Sequence, residues 1–254
     1  IVNHINQTMA KHIVTIEDPI EFMHEDSKAL ISQREIGGDT RDFATALKYV
    51  VRQNPDVIII GEMRDQETIA TAISAALTGH FVAATIHTVD VQQTLERILN
   101  YFPDGQREQV AMDFALALQG IISQRLLPTK SGQGRVPAFE IFVATPLGRR
   151  LIANRDLESI PELIKNGVHD DMQTFNRSLI ELYSKGLVEL DIAAGAASNR
   201  DEFLLLSQGM ETGIDTFRGY SGDADQGLSI KKLLRNAIHY GASDLLLTVD
   251  APPV

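Results

Sequence analysis

Three short aliphatic runs, each ending in an acid or a histidine, constrain this chain more than any other feature. Residues His12 to Ile16 form a β-branched run that ends in Glu17-Asp18-Pro19. Val57-Ile58-Ile59-Ile60 follows Asn54-Pro55-Asp56 and runs straight into Gly61-Glu62, and Phe81 to Ile86 ends at His87-Thr88. Runs of this length and branching read as buried strands. Between the first two, Phe43, Leu47, Val50 and Val51 recur at helical spacing behind Asp39-Thr40, the expected N-terminal cap. Ile69, Ala72, Ile73, Ala76 and Leu77, closed by Gly79, predict the next helix. Leu95, Ile98 and Leu99 form a further stripe, and Val110, Phe114, Ala117, Leu118 and Ile121 predict a long amphipathic helix to about Gln124. Strands alternating with such helices predict an α/β fold with a doubly wound parallel sheet. Ligands of such sheets sit beyond the carboxyl ends of the strands, where Glu17, Asp18, Glu62 and His87 all fall.

Downstream, Lys130 to Gly134 reads as a turn, Val136 to Val143 as a strand, and Thr145 to Leu206 as a smaller helical subdomain. The glycine-rich stretch Gly209 to Gly227 suits a linker. Beyond it, Ile230, Leu233, Leu234, Ala237 and Ile238 predict a short helix stopped by Gly241, and Leu245 to Val249 a strand. The expected division is 1–144 for the sheet core, 145–208 for the helical subdomain, 209–227 for the linker and 228–254 for the opening of a new unit. The sequence begins at Ile1 and stops just after Pro252-Pro253, and it reads as a window cut from a longer protein.

Composition narrows the chemistry. A formal charge of −11 argues against a general nucleic-acid binder. The absence of cysteine removes disulfides, thiolate zinc sites and cysteine nucleophiles together. No apolar run approaches the roughly 20 residues of a bilayer-spanning helix, so no transmembrane segment is expected.

The strongest chemical signal is the strand that runs into Gly61-Glu62. Nucleotide hydrolysis needs a carboxylate fixed beside the γ-phosphate and the attacking water, and Glu62 stands where it would orient or deprotonate that water. Taken singly, an acid after four aliphatic residues is an ordinary strand end. Glu17 and Asp18 at a second strand end supply further carboxylates, able to hold magnesium through water or to assist the base, or simply to cap and solvate a loop. His80 and His87 bracket the third strand and could contact phosphate oxygens, relay a signal, or serve as hydrogen-bonded structural residues. Their separation of seven and the lack of cysteine disfavour a zinc site. Arg34, Arg41, Arg52, Arg64 and Arg97 lie dispersed among acids. Arg52 is the candidate for reaching a phosphate across a subunit boundary, and solvation is the expectation for most of the rest. No Gly-x-x-x-x-Gly-Lys-Ser/Thr phosphate loop lies within the sequence.

Taken together, Thr15-Ile16-Glu17-Asp18-Pro19-Ile20-Glu21-Phe22, Arg34-Glu35-Ile36-Gly37, Asn54 through Asp65 and Gly79 through Thr88 resemble the secretion ATPase superfamily. Within it they resemble most closely the type IV pilus retraction ATPases of the PilT/PilU type. The resemblance runs on through Ser123-Gln124-Arg125-Leu126-Leu127-Pro128, Gly134-Arg135-Val136-Pro137-Ala138 and Met172-Gln173-Thr174-Phe175, covering about residues 1–206. It implies a RecA-like P-loop NTPase core and a PAS-like N-terminal domain, with ATP and Mg2+ bound between the two in a homo-hexamer. By motif match Glu62 is the Walker B glutamate and Glu17 the Asp-box acid, with Asp18, Gly61, His80, His87 and Arg52 associated with nucleotide or magnesium.

The family's phosphate loop precedes the segment matching Ile1 to Asn6. A cysteine-bearing insertion typical of assembly ATPases has no counterpart at Pro128 to Gln133, which favours retraction. Leu233 to Thr248 resembles the opening of the same family's N-terminal domain, with Leu246 where a histidine is common. A tandem fusion would explain its place, as would a permutation or an artefact. The implied protein is a cytoplasmic motor, peripheral at the inner membrane, that works on a pilus inner-membrane platform protein. A paralogous pilus ATPase is a further implied partner. The alternatives are an inactive or regulatory paralogue and a related secretion or DNA-uptake ATPase.

Overall fold

The computed structural model describes residues 1–210 and the backbone of the strand Asp244–Val249. The three aliphatic runs form β1 (His12–Glu17), β3 (Val57–Ile60) and β4 (Phe81–Ile86), with α1 (Val2–Thr8) ahead of them. β2 (Leu30–Glu35) also forms, a strand that the apolar pattern did not predict. Lying at the sheet edge, it keeps every residue at least partly exposed and tolerates Ser32, Gln33, Arg34 and Glu35. α2 (Phe43–Val50) is capped by Asp42, whose carboxylate accepts from the Thr45 N–H at 2.6 Å. The expected cap at Asp39-Thr40 is therefore corrected: Asp39 instead accepts from the Glu35 N–H at 2.9 Å and closes the turn after β2.

α3 (Gln66–Leu77) and α4 (Val91–Asn100) follow as the periodicity predicts, capped by Asp65 and Asp90. The expected helix to about Gln124 is also corrected. α5 (Asp104–Ala117) stops where Leu118 turns extended, and Gly120–Pro128 is strand β5. The β-branched pair Ile121-Ile122 continues the helix's apolar spacing yet suits a buried strand better. β6 (Arg135–Val143) returns antiparallel to β5. α6 (Pro146–Ala153), α7 (Ile160–Asn166), α8 (Phe175–Ser184), α9 (Leu190–Ala196) and α10 (Arg200–Ser207) then follow. The last strand, β7 (Asp244–Val249), pairs in parallel with both β4 and β5. Apart from Gly209 and Met210, the expected linker over 209–227 and the helix around Ile230 to Ile238 lie outside the described residues.

The sheet order is β2-β1-β3-β4-β7-β5-β6, with β6 antiparallel to its neighbour and the other pairings parallel. Strand alternation divides each run between two faces. Val14, Ile16, Ile58, Ile60, Val82, Ala84 and Ile86 join the larger core with α2 through α7. Ile13, Val57, Phe81 and Ala83 face a smaller cluster with Ile5 of α1. A third cluster joins Leu127 and Ala138 of β5 and β6 to Phe175, Leu179, Ala193 and Phe203 of α8 through α10. Burial on both faces explains why β1, β3 and β4 read as continuous apolar runs. Among the described residues no helix is long and apolar enough to cross a membrane.

Candidate functional site

Register brings the acidic strand ends together. β1 and β3 pair Ile16 with Ile60, so Glu17 and Gly61 leave the sheet side by side. The Gly61 N–H donates to the Ile16 carbonyl at 2.7 Å. A Cβ on Gly61 would stand 3.0 Å from that carbonyl oxygen and 3.3 Å from the Glu17 Cα, so only glycine allows this approach without displacing one strand end. Thr85 Oγ1 donates to the Gly61 carbonyl, and the Met63 N–H donates to the Thr85 carbonyl at 3.0 Å. The turn carrying Glu62 is thereby clipped to both flanking strands.

Glu62 is mostly buried, its side chain 17% exposed. Its Oε2 accepts from Arg64 Nη2 at 2.5 Å, and its Oε1 lies 3.3 Å from His87 Nε2. The Arg64 guanidinium holds the Glu62 carboxyl below its usual range, and His87 works in the same direction against partial burial. Glu62 is thus an ionised carboxylate at neutral pH. Arg64 itself is exposed, and displacing it would leave one Glu62 oxygen open to a water. Glu17 Oε1 accepts from Thr15 Oγ1 at 2.5 Å and from Gln33 Nε2 at 3.0 Å, which fixes it at the same edge. Asp18 is exposed, and its charge reaches Arg64.

The remaining expected residues lie elsewhere. His80 begins at the opposite end of β4, so roughly 20 Å of strand separates it from His87. Its Nδ1 is 2.9 Å from the Ala75 carbonyl at the end of α3, a helix-end contact. Arg52 is exposed on the turn ahead of β3, also at the amino edge of the sheet. The structure therefore brings together Glu17, Asp18, Gly61, Glu62 and His87, and leaves His80 and Arg52 apart from them.

Several contributors escaped the pattern reading. Arg64, grouped with the dispersed arginines, stands two residues after Glu62 and pairs with it, and that short separation was the available signal. Arg97 of α4 donates to the His87 carbonyl at 3.0 Å, and Thr88 Oγ1 lies 2.6 Å from Thr94 Oγ1. Glu140 of β6 accepts from the Val91 N–H at 2.9 Å, at the start of α4. Nothing in the local sequence announces that contact, which spans 49 positions.

Burial pushes the Glu140 carboxyl up to about 7; Asp90 adds to this, while the Val91 N–H and Arg125 oppose it. The folded protein therefore binds this proton more tightly than the unfolded chain. The stability so gained is complete below the ordinary carboxylate pKa near 4.5 and is lost as pH rises through about 7. The loss amounts to about 3 kcal/mol at most. Glu140→Gln should flatten the decline of melting temperature between pH 4.5 and 8, which thermal scans of both proteins across that range would read. Parallel wild-type and variant curves would remove Glu140 as the source.

The carboxylates at this edge offer hard oxygen donors, the chemistry that suits magnesium. Among the described residues no three His, Asp or Glu side chains converge as a cage.

Residues 1–155 match the family described as type II/IV secretion system protein. The chain is 44% identical over 200 residues to a twitching motility protein of Neisseria gonorrhoeae, covering 79% of this chain and 54% of that protein. It is 39% identical over 231 residues to the type IV pilus ATPase PilU of Pseudomonas aeruginosa, covering 91% and 59%. The crystal structure of the pilus retraction motor PilT with bound ADP superposes with a TM-score of 0.73 at 45% identity, covering 79% of this chain and 57% of that one. The chain thus spans a little over half the length of these relatives.

Proposed function

Because the chain belongs to the type II/IV secretion system protein family, we propose that the whole protein is an ATP-hydrolysing motor of type IV pilus retraction. The observation that carries this reading is the ionised Glu62, held by His87 and Arg64 two residues past a buried parallel strand and beside the Glu17 strand end. A carboxylate so placed can orient an attacking water and take its proton. Glu17 and Asp18 would hold magnesium, directly or through water, and Gly61 keeps the two acidic ends close. Magnesium, when bound, neutralises charge on phosphate oxygens. His87, joined to Glu62, would sense the γ-phosphate.

The phosphate cradle itself would come from residues upstream of Ile1. Ile1 and Val2 line a hollow with Ile60, Ala84 and Thr85, so a chain arriving there would enter next to the Gly61 turn. Arg52 and His80, at the opposite edge, would serve a neighbouring protomer of a homo-hexamer or a relay between domains. In this reading residues 1–144 are a RecA-like core and 145–208 its helical subdomain. A PAS-like N-terminal domain would close over the nucleotide and reopen after hydrolysis; the described strand of 228–254, β7, pairs within the core sheet between β4 and β5. The motor would be cytoplasmic and peripheral at the inner membrane, acting on the pilus platform protein, with a paralogous pilus ATPase as a further partner.

The test is phosphate release by the purified full-length protein, with its mass measured in solution. Turnover of ATP that chelation of magnesium abolishes, by a hexamer, is the expected result. A degraded phosphate loop with neither binding nor turnover would reassign the protein as a regulatory subunit.

A further inference from the structure

The loop that delivers His87 to Glu62 is gripped from outside the site. Its Val89 carbonyl accepts from Arg125 Nη2 at 3.3 Å, and the Val91 N–H that closes it donates to Glu140. Arg125 reaches in the other direction as well. Its Nη1 donates to the Ala196 carbonyl at 2.6 Å and to Ser198 Oγ at 3.3 Å, and its guanidinium carbon lies 3.8 Å from the centroid of the Phe175 ring. Ala196 ends α9, where unpaired carbonyls and the helix dipole both favour a cation, and Phe175 opens α8. One planar fork on β5 thus touches the His87 loop and two helices of the third apolar cluster.

We propose that Arg125, seconded by Glu140, is the positioning link through which the α8–α10 helices set the reach of His87 to Glu62. The planar guanidinium suits this role because its donors are fixed relative to one another, so a shift at Ala196 is passed to Val89 rather than absorbed by side-chain rotation. Glu140 anchors the first turn of α4 and makes the loop pivot between two fixed points. Ser198 is itself tied to α8 by its N–H to Asn176 Oδ1 at 3.1 Å, and Asn176 Nδ2 donates to Glu202 of α10, so these helices move the anchor as a unit. His87 is 55% exposed and its contact with Glu62 is long, which leaves that contact dependent on where the loop stands.

The link rests on Glu62 being the carboxylate that handles the attacking water, and the experiment separates the two ideas. In full-length protein, Arg125→Gln should lower kcat for ATP about tenfold while KM stays within about twofold, the signature of a misplaced group rather than lost binding. Arg125→Lys keeps the charge but engages fewer partners, and it should recover less than half of that loss. Independently of turnover, the His87 ring resonances in histidine-labelled protein should shift in both variants in the same sense as in Glu62→Gln. Unmoved His87 resonances, with only a lowered melting temperature, would overturn the link. A wild-type protein that does not hydrolyse ATP would sink the motor reading, while the resonance comparison would still decide the link.

Discussion

Glu62→Gln in the full-length protein is expected to retain nucleotide and to lose at least about 100-fold in ATP turnover. The amide keeps the shape of the side chain but cannot take a proton at neutral pH, and it no longer attracts Arg64. Since the carboxyl sits below its usual range because of Arg64, wild-type Glu62 is already ionised well below neutrality, so protonation of this group does not limit the rate near pH 7. The variant should therefore be slow at every pH from 6 to 8, and pH should not rescue it. Single-turnover phosphate release measured beside nucleotide affinity makes the check. Wild-type turnover in the variant would remove Glu62 from the chemistry, and lost affinity with normal turnover at saturation would make it a binding residue instead.

The elements that build this edge were legible because both faces of the sheet are covered. Ile58 and Ile60 face one core and Val57 the other, so β3 has no polar face to blur its pattern. β2 carries Gln33 and Glu35 on the sheet edge, where Glu17 and the backbone of Ile20, Phe22 and His24 bond their side chains, and its strand character comes from pairing with β1 rather than from composition. The junction of α5 and β5 hid for a different reason: Phe114, Leu118 and Ile121 keep helical spacing across a real break, and local periodicity does not report where the backbone turns extended at Leu118. Glu17, Glu62 and His87 were found by their position after strands. His80, on the same strand as His87, went to the other edge, since a strand separates its two ends by its whole length. Arg125 and Glu140 meet the His87 loop across 36 and 49 positions, contacts that only the assembled sheet creates.

The same dependence on long-range fit sets the largest expected stability effect, at the contact between β6 and α6. Phe142 is fully buried in the larger core, and its ring fills the space over Gly148: a Cβ there would lie 2.8 Å from Cζ and 3.1 Å from Cε2. Phe142→Ala should destabilise the protein by about 3–5 kcal/mol, the loss of a large buried ring plus the cavity left behind. Gly148→Ala should also destabilise, by about 1–2 kcal/mol, although alanine favours helix, because the methyl overpacks against a ring that Leu163 backs at 3.4 Å from the same point. The two costs share one volume, so they should not add. In a Phe142→Leu background, Gly148→Ala should cost at least about 1 kcal/mol less than in wild type, and urea titrations of the four proteins measure the difference. Additivity within about 0.5 kcal/mol would mean that the ring does not set the glycine requirement, and that α6 needs Gly148 for its own backbone. A cycle that couples as expected would mean that α6 is seated on the sheet by this ring, in the same core that Val14, Ile16, Ile58 and Ile60 enter just beneath the acidic strand ends.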